Sequence, residues 1–234
     1  MKFVWRKMGW SRYNSFEIMQ LRTETLTFRG EAGDIECTFD RPEGPVRGWA
    51  LVLHPHPLHG GTRDNKVVTT ISRACVEQGM VALRPNFRGV GGSAGEFDSA
   101  RGETRDMLAL VEQFEALYPD IAAGAWVLAG FSFGTSVAAQ LYSERAAQGL
   151  RAPGQLLLTG TAVERFRFRD VEVPEDTVLI HGEADEVVPL SEAMDFARGH
   201  GVPMVVIPDA GHFFHGRLLV LRRLVTQSLC NLAS

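Results

Sequence analysis

Long hydrophobic runs are missing from this chain. No apolar stretch approaches the roughly 18 residues that cross a bilayer, so no membrane span is expected. Cysteine is scarce. Cys37, Cys75 and Cys230 are scattered, odd in number and without metal-ligand spacing, which excludes a disulfide scaffold and suits the cytoplasm. A surplus of positive charge is absent too. With 24 Lys and Arg against 28 Asp and Glu the formal net charge is −4, and nothing favours nucleic acid as a partner. Repeats, low-complexity tracts and linker-like stretches are also lacking, so nothing splits the chain into parts.

What remains is ordinary globular composition: 234 residues, 45% hydrophobic and 22% charged. That length buries an adequate core in one domain without disulfides or metals. Residues 1–21 stand apart. The segment MKFVWRKMGWSRYNSFEIMQ is basic and aromatic, but it has neither the apolar stretch of a signal peptide nor a strand or helix period. It is expected to be a disordered extension before a domain over 22–234. Met19 is an alternative start, because the strand pattern begins just after it.

Thr23–Arg29 alternates apolar and polar residues, and Ile35–Phe39 does so less strictly, with turn residues from Gly30 to Gly33 between them. This predicts an antiparallel hairpin at a sheet edge. Short continuous apolar runs follow at Trp49–Leu53, Val81–Leu83, Trp126–Ala129, Gln155–Leu158, Val178–Ile180 and Met204–Ile207, suited to strands buried on both faces. Helical patterns occupy Asn65–Gln78, Glu103–Leu117, Thr135–Ala147, Leu190–Arg198 and Phe214–Leu229. Strands alternating with helices of this length predict an α/β fold. Its expected form is a mostly parallel twisted sheet of about eight strands with helices on both faces.

Gly130-Phe131-Ser132-Phe133-Gly134 lies between a predicted strand and a predicted helix. A serine hydroxyl is a weak nucleophile and must stand exposed beside a base. A sharp strand-to-helix turn lifts it above the sheet, and the crowding of such a turn demands flanking glycines. The free N–H of Phe133, at the start of the helix, can meet a developing oxyanion. As a bare pattern G-x-S-x-G also arises by accident; its place between strand and helix gives it weight.

Asp185 follows the strand Val178–Ile180, in His181-Gly182-Glu183-Ala184-Asp185-Glu186-Val187-Val188-Pro189, where open α/β sheets build their sites. Alone it reads as a solvated loop carboxylate, and Glu183 and Glu186 compete with it. His212 follows the last strand, in Pro208-Asp209-Ala210-Gly211-His212, with Gly211 permitting a sharp turn. His215 is a rival placed inside the following helix. The order Ser132, Asp185, His212, each past a strand end, favours these three as nucleophile, orienting acid and base.

In the loop His54-Pro55-His56-Pro57-Leu58-His59-Gly60-Gly61 the prolines lack an N–H, which leaves the His56 amide as the best second oxyanion donor and Leu58 as the next. The three histidines match no zinc pattern and have no Cys or carboxylate partner beside them; His54 is expected to pack and bond backbone under the site, and His59 to face solvent. Neither metal nor cofactor is implied. Arg88–Gly95 is glycine-rich, but its spacing fits neither a dinucleotide fingerprint nor a P-loop. It reads as a flexible rim loop, with Arg88 structural.

The segments VLHPHPLHGGTRDNKVV, RPNFRGVGGSAG, GFSFG, HGEADEVVP and DAGHFF resemble the α/β-hydrolase superfamily over about residues 22–231. They are most similar to small bacterial predicted serine hydrolases or esterases, distantly related to dienelactone hydrolase. The resemblance implies a Ser132–Asp185–His212 triad with an oxyanion hole from the Phe133 and His56 amides. Two positions depart from wider patterns. Asn86 stands where many members have Asp, and Ser132 where dienelactone hydrolases use Cys, which argues against transferring their substrate. The short stretch Thr161–Glu175 leaves no room for a cap domain. Its alternating charged and aromatic residues 164–169 suit a rim or a homodimer contact. The expected activity is a carboxylesterase cleaving small or medium acyl esters through an acyl-enzyme. The same triad serves a thioesterase or a peptidase, and a non-catalytic binding protein of this fold is the alternative from another class.

Overall fold

A computed structural model describes residues 22–230 and 232. The expected extension, and the question of Met19, lie outside the described residues. The described residues begin with a hairpin of β1 (Arg22–Gly30) and β2 (Gly33–Arg41). It continues through β3 (Gly48–Leu53), α1 (Lys66–Glu77), β4 (Met80–Pro85), α2 (Arg101–Leu117) and α3 (Pro119–Ala122). Then come β5 (Ala125–Phe131), α4 (Phe133–Ala147), β6 (Gln155–Thr159), α5 (Val163–Phe166), β7 (Val178–Gly182), α6 (Leu190–His200), β8 (Met204–Ile207) and α7 (Leu218–Cys230). The eight strands form one sheet in the order β1-β2-β4-β3-β5-β6-β7-β8. β1, β2 and β4 pair antiparallel, and every pairing from β4 to β8 is parallel.

The period of two along each strand divides the core. Trp49, Leu51, Leu53, Trp126, Leu128, Leu156, Leu158 and Leu179 face α2, α4 and α6. Ala50, Val52, Ala82, Val127, Ala129, Leu157, Ile180 and Ile207 face α1 and α7. Side chains alternate across a strand, so continuous apolar runs supply both layers. Trp49 and Trp126 are register partners on β3 and β5 and stack at 4.7 Å. The Asn65 side chain caps α1 by accepting from the Val67 amide at 2.9 Å.

Three expectations change. β8 is not buried on both faces: Val205 and Val206 are exposed, because β8 is the edge strand and pairs only with β7. α7 begins at Leu218, four residues later than the pattern suggested, so His215 lies in the preceding turn, exposed and stacked on Phe213. The glycine-rich loop is pinned. Glu36 accepts from the Gly92 amide (2.9 Å), Ala94 donates to the Asp34 carbonyl (2.8 Å), and Ser93 Oγ donates to the Asn86 carbonyl (2.8 Å). Arg88 is structural: Nε and Nη2 grip the buried Asp106 carboxylate at 2.8 and 2.9 Å.

Candidate active site

Ser132 is the joint between β5 and α4. Its φ of 54° and ψ of −121° are strained for a residue with a Cβ, a conformation costing about 1–3 kcal/mol unless its surroundings impose it. They do. The Ser132 amide donates to the Thr159 carbonyl at 2.9 Å. Its carbonyl accepts from the Thr135 amide (2.8 Å) and hydroxyl (2.6 Å), and that hydroxyl in turn accepts from Ala162 N–H at 2.9 Å. The flanking glycines answer crowding rather than a special φ. A Cβ on Gly130 would press into the Gly134 carbonyl, and one on Gly134 into the Leu53 carbonyl. The start of α4 therefore lies directly against the end of β3.

Asp185 and His212 meet Ser132 from the last two strands. His212 Nε2 is 2.9 Å from Ser132 Oγ, and His212 Nδ1 is 2.8 Å from Asp185 Oδ2. Asp185 Oδ1 accepts from the Val187 amide (2.9 Å) and the Val188 amide (2.7 Å). Burial alone would raise the Asp185 carboxyl. The His212 hydrogen bond and charge, with the Val188 and Val187 amides, outweigh it and hold the group below the usual carboxylate range. A hydroxyl, an imidazole and an ionised carboxylate in line can pass a proton from the first to the second while the third stabilises the charge.

Glu183 and Glu186, the local rivals of Asp185, carry no part of this chain of contacts. They fasten the loop that presents His212. Glu183 accepts from the Asp209 amide at 3.1 Å, and Glu186 from the His212 amide at 3.3 Å. Backbone bonds from Glu183 to the Ile207 carbonyl and from Ala184 to the Ala210 carbonyl, both 3.0 Å, join the two loops. A Cβ on Gly211 would sit 2.8 Å from the Glu186 carboxylate and displace that flexible side chain. The left-handed turns fall instead at Asp209 and Phe214.

On the other side of Ser132 the loop after β3 closes around His56. The His56 ring accepts the Leu58 amide at 3.2 Å, which occupies the second-ranked oxyanion donor. No hydrogen bond engages the amides of His56 or Phe133 among the described residues. Beneath them His54 is fully buried. Its Nε2 accepts from Phe87 N–H at 2.9 Å, so the ring proton resides on Nδ1, which donates to the Pro55 carbonyl at 2.6 Å. Burial pushes this imidazole down to about 4, against the Pro55 hydrogen bond, and keeps it neutral. His59 is exposed. Asn86 lies behind the loop. It accepts from Arg63 N–H (3.0 Å) and donates to Glu36 (3.0 Å), a pair of bonds that an aspartate could not make beside that carboxylate.

Residues 50–220 match the family described as the alpha/beta hydrolase domain. The chain belongs to the α/β-hydrolase family. Among solved structures, this α/β hydrolase resembles XC6422 from Xanthomonas campestris, a serine hydrolase without a lid. The two are 35% identical with a TM-score of 0.79, over 89% of this chain and 94% of that one. An α/β serine hydrolase homologue from Coxiella burnetii is 34% identical with a TM-score of 0.75, over 88% and 97%. An uncharacterised protein of Rickettsia prowazekii is 42% identical over 120 residues; the match covers 51% of this chain and 50% of that protein, so the chain spans about half the length of the curated relative it matches. Among the described residues the hydrolase carries no cap: the segment between β6 and β7 holds only the four-residue α5.

Aromatic residues from four separate segments gather around the His56 ring. The His56 ring meets Phe97 at 4.6 Å, Phe133 at 5.3 Å and Phe166 at 5.3 Å, and Phe133 meets Phe97 at 5.4 Å and Phe166 at 5.1 Å. Among the described residues no group of three His, Cys, Asp or Glu is placed to hold a metal ion, and no helix is long and apolar enough to cross a membrane.

Proposed function

We propose that this α/β hydrolase is a carboxylesterase acting on small or medium acyl esters. The observation that carries the reading is the contact line from Ser132 Oγ through His212 to Asp185, with Ser132 in a strained turn at a helix start. His212 takes the Ser132 proton as Oγ attacks the ester carbonyl. The Phe133 and His56 amides receive the oxyanion, and the alcohol leaves with the proton held by His212. Water, deprotonated by the same imidazole, then releases the acid. The substrate is a small molecule, and no cofactor enters.

The rim supports an uncharged substrate. Leu58, Val187 and Phe213 are exposed and lie within two residues of His56, Asp185 and His212 respectively. Arg165, beside the Asp185 loop, is neutralised by two contacts of 2.6 and 2.7 Å to Glu192. A rim without a cap favours short and medium acyl chains over long lipids. A fluorophosphonate probe should label the protein and fail to label Ser132→Ala. Hydrolysis of p-nitrophenyl esters should fall off from short to long acyl chains. A labelled alanine variant would overturn the nucleophile, and a preference for long chains would overturn the substrate class.

A further inference from the structure

His181, in β7, takes no part in the proton path just proposed, and its sequence position announced no role. The ring is fully buried. Its Nε2 lies 2.9 Å from the Val188 carbonyl and 3.3 Å from Asp185 Oδ2, the oxygen that His212 uses, while its Nδ1 has no partner among the described residues. A carbonyl oxygen only accepts, so Nε2 carries the proton and Nδ1 is a bare, buried acceptor. An apolar side chain would avoid that unpaired atom. What the imidazole supplies and an apolar side chain does not is the Nε2–H edge.

That edge faces both halves of the support under Asp185. It holds the carbonyl of Val188, whose own amide, with that of Val187, feeds Asp185 Oδ1. It also rests against Oδ2. We infer that His181 is a positioning residue for the Asp185–His212 pair, a neutral donor that keeps the 187–188 amides on the carboxylate and moderates its basicity. The inference rests on the hydrolase reading above. The charged or titratable groups around the ring are Asp185 on its own loop, His212 from the loop after β8, and Glu192 from α6, itself paired with Arg165 of α5. Burial lowers the His181 imidazole, against the Val188 and Asp185 contacts, so the ring stays neutral while Asp185 is ionised. A carboxylate that loses donors becomes more basic and draws the proton of its imidazole partner more tightly.

The test compares kcat/KM against pH for the full chain and for His181→Met and His181→Gln, with p-nitrophenyl butyrate as substrate and fluorophosphonate labelling of Ser132 alongside. The Met variant should move the acid limb to higher pH by about half a unit and lower the plateau kcat about tenfold with KM little changed. Gln, whose amide N–H reaches the Nε2 position, should return the limb to its original place. A Met variant whose limb is unmoved or moves to lower pH overturns the inference. If Met does not give a cooperative melt, His181→Asn takes its place with the same expectation, since its shorter amide withdraws the donor from Val188. Wild-type protein that neither labels nor hydrolyses esters overturns the hydrolase reading and this inference together. Labelled, active wild type with an unmoved limb in the variant overturns His181 alone.

Discussion

On one side of Ser132, Asp185 and His212 are held by named hydrogen bonds: two backbone amides on one carboxylate oxygen, an imidazole on the other, and Glu183 and Glu186 fastening the loop between. On the other side, His56, Phe97, Phe133 and Phe166 are held by ring faces and edges, with centroids 4.6 to 5.3 Å from the His56 ring. Hydrogen bonds are directional and lose function steeply when displaced. Ring packing tolerates exchange, and an altered wall still leaves a site. On the proposed reading the chemistry depends on the polar side, and the aromatic side would select the acyl group.

The sharpest break in that contrast comes from Asp185→Asn, which keeps the shape and removes the charge. It should lower kcat by about 10⁴-fold with KM nearly unchanged, read by steady-state ester hydrolysis; a loss under about tenfold would show that the polar side is dispensable. Next in size is His54, buried beneath the aromatic side against Phe87. Its folded value of about 4 is below the ordinary 6.5, so the fold favours the neutral ring. Its contribution is fully present above the ordinary value and is lost as the pH falls toward 4, amounting to about 3 kcal/mol in all. Urea melts of wild type and His54→Asn should therefore converge between neutral pH and about pH 4.5, and a constant gap would contradict the buried neutral ring.

Smaller effects belong to the aromatic side. Phe166→Ala should raise the kcat/KM ratio of hexanoate to acetate esters about tenfold, leaving kcat on acetate within a factor of about three; an equal fall on all esters would place Phe166 with the chemistry instead. The least change should come from Glu186→Ala. It removes one acceptor from the His212 amide while three other loop-to-loop bonds persist. A loss of about threefold in kcat at constant KM is expected, in keeping with one hydrogen bond among several.

The architecture was legible because its signals are local. Apolar runs alternating with helical patterns predicted the parallel sheet, and the glycines around Ser132 marked a turn that only glycine fits. Asp185 and His212 were legible by chain order, each just past a strand end. The aromatic group was legible only in part: His56 and Phe133 were expected at the site and Phe166 on a rim, but Phe97 was not, and the four rings meet only through the crossovers, with no period linking them. Glu183 and Glu186 looked like competitors for Asp185 because a sequence shows carboxylates and not the amides they accept. The start of α7 was misplaced because Phe213 and Phe214 continue an apolar pattern into a turn where Phe214 adopts positive φ.

Chain order also sets when the proposed machinery can exist. Ser132 leaves the ribosome with its elbow partners Thr135 and Thr159 close behind, whereas His212 comes after the edge strand β8. A growing chain thus displays its serine for some 80 residues of synthesis before the imidazole 2.9 Å away is made. Until then the hydroxyl has no base, and esters nearby are safe from it.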